Sequence, residues 1–274
     1  MRSCWSGALL LLAAVAVPVP ALASPAAGPP APATAALAAP AAPKHHHRPA
    51  ALTAVTPAAA TGSAAVIARY GFNGRRSGSI TDESGHGHTL RIVTAHGGAV
   101  RPVVHGHGSA LAFPAECAGP GCPHVALQSP SSADLNPGTR DLAFGADVLL
   151  PVGQTSKGEN ILQKGYSVTS SQWKLQVDGM AGRPSCVLVD DKRPRIRIAY
   201  SSISISDGHW HALQCRRVGT TLAVFVDGVD RGRIAVPATL SVSNQRPLSI
   251  GAKGAFPDND QFNGALDNVW VQIG

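Results

Sequence analysis

The segment Ser206-Asp207-Gly208-His209-Trp210-His211-Ala212-Leu213-Gln214-Cys215-Arg216-Arg217, followed by Leu222-Ala223-Val224-Phe225-Val226-Asp227-Gly228, leaves little choice of local structure. An Asp-Gly turn opens a strand, a hairpin leads into a second strand, and another Asp-Gly turn closes it, with glycine supplying the positive φ. Similar strand-like runs recur between Gly, Pro, Asn and Asp turns: Asp141–Leu150, Asn160–Lys164, Gln172–Val177, Cys186–Val189, Arg195–Ala199, Arg233–Val236, Pro247–Gly251 and Leu266–Ile273. In Gln172–Val177 and in Arg195–Ile198 the apolar residues fall on one face. A period of two with one polar face describes antiparallel sheets covered on one side. No later stretch has a helical period, and no repeat points to a propeller or solenoid. Residues 66–274 are therefore expected to form one all-β domain, a two-sheet antiparallel sandwich.

The N-terminus addresses the compartment. Arg2 supplies a positive n-region, Leu9 to Val17 an apolar run, and Ala21-Leu22-Ala23 small residues for cleavage before Ser24. Residues 1–23 read as a secretory signal peptide, and no later segment reaches the ~18 apolar residues of a transmembrane span. Residues 24–65 are Ala/Pro/Thr-rich and hold too little apolar surface to fold, so they read as a disordered arm or linker. His45-His46-His47 within it reads as a solvated basic patch. Of five cysteines, Cys4 is lost on cleavage. The other four, Cys117, Cys122, Cys186 and Cys215, suit disulfides in an exported chain. Three pairings are open; Cys117–Cys122 with Cys186–Cys215 is favoured, one closing a short loop and the other stapling two strands. Zinc would want two close cysteine pairs, and there is one. The net charge of +7 suits a partner among extracellular acidic polymers. Nothing resembles a nucleic-acid motif or a stacking platform.

Five patterns, the opening of the hairpin among them, come in order: Ala68-Arg69-Tyr70-Gly71-Phe72-Asn73; Thr81-Asp82-Glu83-Ser84-Gly85-His86-Gly87-His88; Ser109-Ala110-Leu111-Ala112-Phe113; Gly208-His209-Trp210-His211; and Phe262-Asn263-Gly264-Ala265-Leu266-Asp267-Asn268-Val269. Together they resemble the laminin G-like domains of the concanavalin A-like lectin/glucanase superfamily, over about Val66 to Gly274. Cys186 and Cys215 look like the paired cysteines of a secreted, actinobacterial-type subgroup. The resemblance implies a jelly-roll sandwich and a non-catalytic module that recognises extracellular polysaccharide or a cell-surface glycan or protein. It also implies a structural calcium ion, with Asp82 in the early Gly-rich turn and Asp267 in the closing strand as the matching carboxylates; the plain alternative is that both hydrogen-bond locally.

Other chemistry can be weighed residue by residue. Glucanase relatives carry two carboxylates on one strand face, about 5–5.5 Å apart when they retain configuration. No such strand is evident: Glu83, Glu116 and Glu159 sit in turn or loop contexts, Asp190-Asp191 are adjacent, and Asp258-Asn259-Asp260 lies in a loop with proline. A divergent hydrolase, or a lyase using Tyr166, Tyr200, His209 and His211, is the alternative, with a structural adhesion module as the third reading. His105-Gly106-His107 with His96 ranks as loop surface before it ranks as a zinc or copper site. Trp173, Trp210, Phe225 and Trp270 are expected in the core. Lys174 and Gln176, Arg195 and Arg197, and Gln214 and Arg216 lie on polar strand sides. On neighbouring strands, Lys174, Arg195, Arg197 and Arg216 would form a basic ligand-binding face.

Overall fold

Sixteen strands follow one another, with one 3₁₀ turn at Ala133–Leu135 and no α-helix among the described residues. The computed structural model describes residues 64–74, 78–169 and 171–274; the expected signal peptide, His45–His47 and the arm as far as Ser63 lie outside the described residues. The strands are β1 (Ala65–Tyr70), β2 (Ser79–Ile80), β3 (Leu90–Ala95), β4 (Arg101–His105), β5 (Gly108–Ala112), β6 (His124–Ser129), β7 (Leu142–Leu149) and β8 (Gly158–Gly165). They continue as β9 (Gln172–Asp178), β10 (Arg183–Val189), β11 (Ile196–Tyr200), β12 (Trp210–Val218), β13 (Thr221–Val226), β14 (Val229–Ala235), β15 (Leu248–Ile250) and β16 (Ala265–Ile273).

All pairings are antiparallel, in two eight-stranded sheets. The first runs β14-β13-β12-β7-β16-β5-β4, with β1 also on β16; the second runs β11-β10-β9-β8-β15-β6-β3-β2. This is the expected two-sheet sandwich. The β12–β13 unit forms as read, and Asp227 and Gly228 in the turn that follows have φ of 53° and 74°. Both residues are left-handed, as the tight turn into β14 requires.

The core lies between the inward faces. Phe144 and Leu213 of the first sheet and Trp173, Leu175 and Leu188 of the second are buried. Phe144 and Trp173 meet across the gap with ring centroids 4.8 Å apart, and the Trp173 indole N–H donates to the Leu135 carbonyl (3.2 Å). The Cys186–Cys215 disulfide joins β10 to β12 and so bridges the sheets; Cys117–Cys122 closes a loop within one segment.

Two cations extend the inward faces at one end. Arg217 follows Leu213 and Cys215 along β12 and donates to the carbonyls of Leu240 (2.8 Å) and Ala238 (3.2 Å). Lys164, opposite Trp173 in the register, donates to the Asn244 carbonyl (2.7 Å), Asn136 Oδ1 (2.9 Å) and Ser131 Oγ (3.1 Å). Burial pushes its ammonium down to about 8. These two side chains satisfy loop carbonyls that the ladders leave unpaired, and they tie the 131–141 and 237–246 segments to the sheets.

Of the four aromatics expected inside, Trp173 alone enters the core. Leu213 and Cys215 set the inward parity of β12, so Trp210 faces out and stacks on His105 (centroids 3.9 Å). Trp270 lies over Gly145, where an added Cβ would crowd the indole at 3.2 Å and clash with the Leu213 carbonyl. Phe225 pairs with Gln214 on the same outer face. A strand's own alternation does not say which face is inside when both carry apolar groups.

Cutting the inter-sheet disulfide with Cys186→Ala/Cys215→Ala is expected to cost about 3.5 kcal/mol, against about 2 kcal/mol for Cys117→Ala/Cys122→Ala, because the longer bridged segment restricts the unfolded chain more. Urea unfolding of the two double variants checks the order.

Candidate functional site

The inward anchoring of Trp173 turns its neighbours Gln172, Lys174 and Gln176 to the outer face of the second sheet. Cross-strand register then carries this parity to β10 and β11. Gln172 lies beside Val189 and Ile196, Lys174 beside Val187 and Ile198, and Gln176 beside Ser185 and Tyr200. In the other direction the Lys174 row continues through Gln163, Ser249 and Gln128. The outer face thus grades from amides and hydroxyls to aliphatic side chains toward the β11 edge.

The segment between β15 and β16 lies over the polar half. Gln128 Nε2 donates to the Lys253 carbonyl (3.0 Å), as does the Tyr166 hydroxyl (3.3 Å), and the Asn160 N–H donates to the Asp260 carbonyl (2.8 Å). Beside it opens a groove of about 520 Å³, floored by Lys174, Gln176, Val187, Ile196 and Ile198. Tyr166 to Thr169, Arg246, Lys253, Phe256, Asp258 and Asp260 line it as well. The Arg246 guanidinium sits 5.3 Å over the Tyr166 ring, and Phe256 is 43% exposed at the lip. The volume suits a small ligand.

One carboxylate organises the groove. Asp260 Oδ2 is 2.8 Å from Lys174 Nζ and 2.8 Å from Lys253 Nζ. Burial alone would raise the Asp260 carboxyl; the two ammoniums outweigh it and hold the group below the usual carboxylate range. Burial pushes the Lys174 ammonium down against the pull of Asp260.

Of the four residues expected to share a basic face, only Lys174 reaches the groove. Arg195 precedes β11 and is exposed. Arg197 pairs with Leu188, which is inward, so Arg197 takes the core-side face at the sandwich rim while Ile196 and Ile198 face the groove. Arg216 belongs to β12 in the opposite sheet, where it borders a shallow hollow with Phe225 and Arg233. The expectation took Arg-Ile-Arg-Ile as polar-out; on this edge strand the partner's register decides instead. Phe256, Lys253 and Asp260 were not anticipated as site residues. Their signal is an aromatic within a Gly/Pro/Asp/Asn loop that has no core periodicity.

The remaining expected residues are placed as follows. Asp82 Oδ1 accepts the Arg69 and Ser84 N–H groups (3.0 and 2.9 Å), and Oδ2 accepts the Ser84 hydroxyl and the His88 N–H (2.8 and 3.0 Å). Asp267 Oδ1 accepts the Asn268 N–H, and Oδ2 is 2.7 Å from His105 Nδ1. Both carboxylates are thus engaged by local donors; a calcium site would gather six to eight oxygens on one ion. His96 Nδ1 faces the Cys122 carbonyl, apart from the His105–Asp267 pair. Among the described residues, no three His, Cys, Asp or Glu side chains are grouped to hold a metal ion. Glu159, expected in a loop, belongs to β8 on the core side opposite Val177; burial pushes its carboxyl up to about 7 against the Asn263 and Ser156 N–H donors. Tyr200 ends the outermost rung of the groove face, and His209 is exposed. His211 bridges Asp227 (2.8 Å) and Asp207 (3.2 Å), clamping the two Asp-Gly turns together.

Comparison with known proteins places this arrangement. Residues 142–272 match the family Laminin_G_3, described as concanavalin A-like lectin/glucanases superfamily. No curated protein matches the sequence. Among solved structures, domain 4 of AbnA, a GH43 extracellular arabinanase from Geobacillus stearothermophilus in complex with arabinotriose, aligns with a TM-score of 0.59 at 14% identity, covering 78% of this chain and 94% of that one. The binding domain of Paraclostridial Mosquitocidal Protein 1 aligns at 0.57 and 13%, covering 76% and 48%. The binding domain of Botulinum Neurotoxin DC in complex with SialylT aligns at 0.54 and 11%, covering 76% and 47%. The chain spans about half the length of the two toxin domains.

The His211 clamp carries a pH signature. Burial would lower the imidazole, but its hydrogen bonds to the Asp227 and Asp207 carboxylates raise it above its ordinary value, and both carboxyls are held below theirs. The raised imidazole stabilises the fold fully below its unfolded value and loses that contribution as pH climbs through the folded value; the lowered carboxyls lose theirs on acidification. The melting-temperature deficit of His211→Gln should therefore peak between about pH 4 and 6.5 and shrink toward pH 9. Thermal melts of both proteins across this range check it.

Sheet topology and family match agree: the fold is a two-sheet antiparallel sandwich, and residues 142–272 are similar to the laminin G-type family of the concanavalin A-like lectin/glucanases superfamily.

Proposed function

We propose that the chain is a secreted, non-catalytic binding module whose ligand is an extracellular carbohydrate, held in the groove beside Lys174 and Asp260. The observation that carries this reading is the groove's composition: an aliphatic floor at Val187 and Ile198, an exposed Phe256 at the lip and a charged hydrogen-bonding group at the inner end. A pyranose presents the matching pair of surfaces, an apolar ring face and a rim of hydroxyls. Two structures of similar fold support it by analogy, one in complex with arabinotriose and one with SialylT.

Asp258 and Asp260 are the carboxylates lining the groove among the described residues. Glycoside hydrolysis needs one carboxyl protonated near neutral pH, and the two lysines keep Asp260 ionised. The Asp82 and Asp267 carboxylates are assigned to local hydrogen bonding rather than to calcium. Secretion is supported by the N-terminal Arg2 to Ala23 pattern and by two disulfides. No described helix is long and apolar enough to cross a membrane.

Affinity electrophoresis against a panel of polysaccharides, run with a reducing-end assay, tests the reading. Retention without new reducing ends is expected, and Phe256→Ala should weaken retention about fivefold at an unchanged melting temperature. Release of reducing ends, or retention indifferent to Phe256→Ala, would overturn it.

A further inference from the structure

We propose that the groove selects sugar chains carrying an anionic substituent, a carboxylate or a sulfate, and that Lys253 is the residue that reads it. This rests on the carbohydrate-binding reading and adds the class of carbohydrate. The observation is the sharing of one acceptor: Lys174 Nζ and Lys253 Nζ each lie 2.8 Å from the same oxygen, Asp260 Oδ2. One negative charge therefore faces two positive ones in a partly desolvated place, where like charges repel more strongly than in water. Burial pushes the Lys174 ammonium down, Asp260 pulls it back up, and Lys253 adds a smaller downward push.

The two lysines are not equivalent. Lys174 is enclosed, with its side chain 6% exposed, and is committed to Asp260; the Lys253 side chain is 27% exposed at the groove wall. Its ammonium has three donors, so one can stay on Asp260 while another turns to a ligand. Arg246, over Tyr166, adds a third cation to the lining, while the second acid, Asp258, is exposed at the lip. An anionic group arriving at Lys253 would complete the charge balance that Asp260 leaves unfinished, with the sugar ring resting on Phe256 or the aliphatic floor. A neutral chain gains the ring contact but not the ion pair.

Matched polymers test this in the full-length protein. Polygalacturonate is compared with its methyl-esterified form, and dextran sulfate with dextran, by affinity electrophoresis at fixed ionic strength. The wild type should bind at least one acidic polymer about tenfold more tightly than its neutral counterpart. Which pair shows the difference identifies carboxylate or sulfate. Lys253→Gln should bring that ratio to within about threefold while leaving retention of the neutral polymer, and Lys253→Arg, which keeps the charge, should preserve most of it. Arg195→Gln, which removes one exposed charge outside the groove, controls for the overall positive charge and should leave the ratio unchanged. Equal retention of acidic and neutral polymers by the wild type overturns this inference and leaves the carbohydrate reading standing. A ratio that survives Lys253→Gln, falls equally in Arg195→Gln, or is lost in Lys253→Arg overturns it too. Retention of none of the four removes both.

Discussion

The packing of Trp173 against Phe144 sets the orientation of nearly everything that follows. Side chains alternate along a strand, so an indole committed to the core commits Lys174 to the outside, and register passes that choice to the neighbouring strands. The buried Cys186–Cys215 bridge lies two residues beyond Leu188 and Leu213 on the same inward faces and locks the same parity from the opposing sheet. The groove is thus a consequence of the core: its floor is the reverse side of the strands that pack on Phe144.

Charge is used in two ways. At one end of the sandwich, Lys164 and Arg217 are enclosed among backbone and amide oxygens, where a cation with several donors satisfies acceptors that no strand can reach. In the groove, Asp260 draws Lys174 and Lys253 onto a single oxygen and so ties the loop before β16 to the outer face of β9. The first arrangement is saturated and structural. The second leaves donors facing an open space, and there the surface has something left to offer a ligand.

The legibility of the chain in its sequence was uneven, for a physical reason. The β12–β13 hairpin, its Asp-Gly turns and the sandwich class were readable because turn chemistry and a period of two are local properties. The facing of β11 was not: Arg195-Ile196-Arg197-Ile198 looks amphipathic with arginine outward, yet Ile198 shares its face with Lys174, and Arg197 lies on the side of Leu188. Trp210, Phe225 and Trp270 misled in the same way, since an apolar residue on the outer face of a sheet is indistinguishable in sequence from one inside. Arg216 matched Lys174 in type and strand position but belongs to the other sheet.

What the sequence by itself determined is the class of structure: antiparallel strands, their approximate limits, the turns between them and an even set of cysteines available for bridging. Those follow from propensity and spacing within a few residues of chain. Only the tertiary structure decided which face of each strand meets the core, which sheet each strand joins, and that Lys174, Lys253 and Asp260, separated by as many as 86 residues, share one oxygen atom. Such choices depend on long-range pairing, and the residues that make them carry no mark of it in their own neighbourhood.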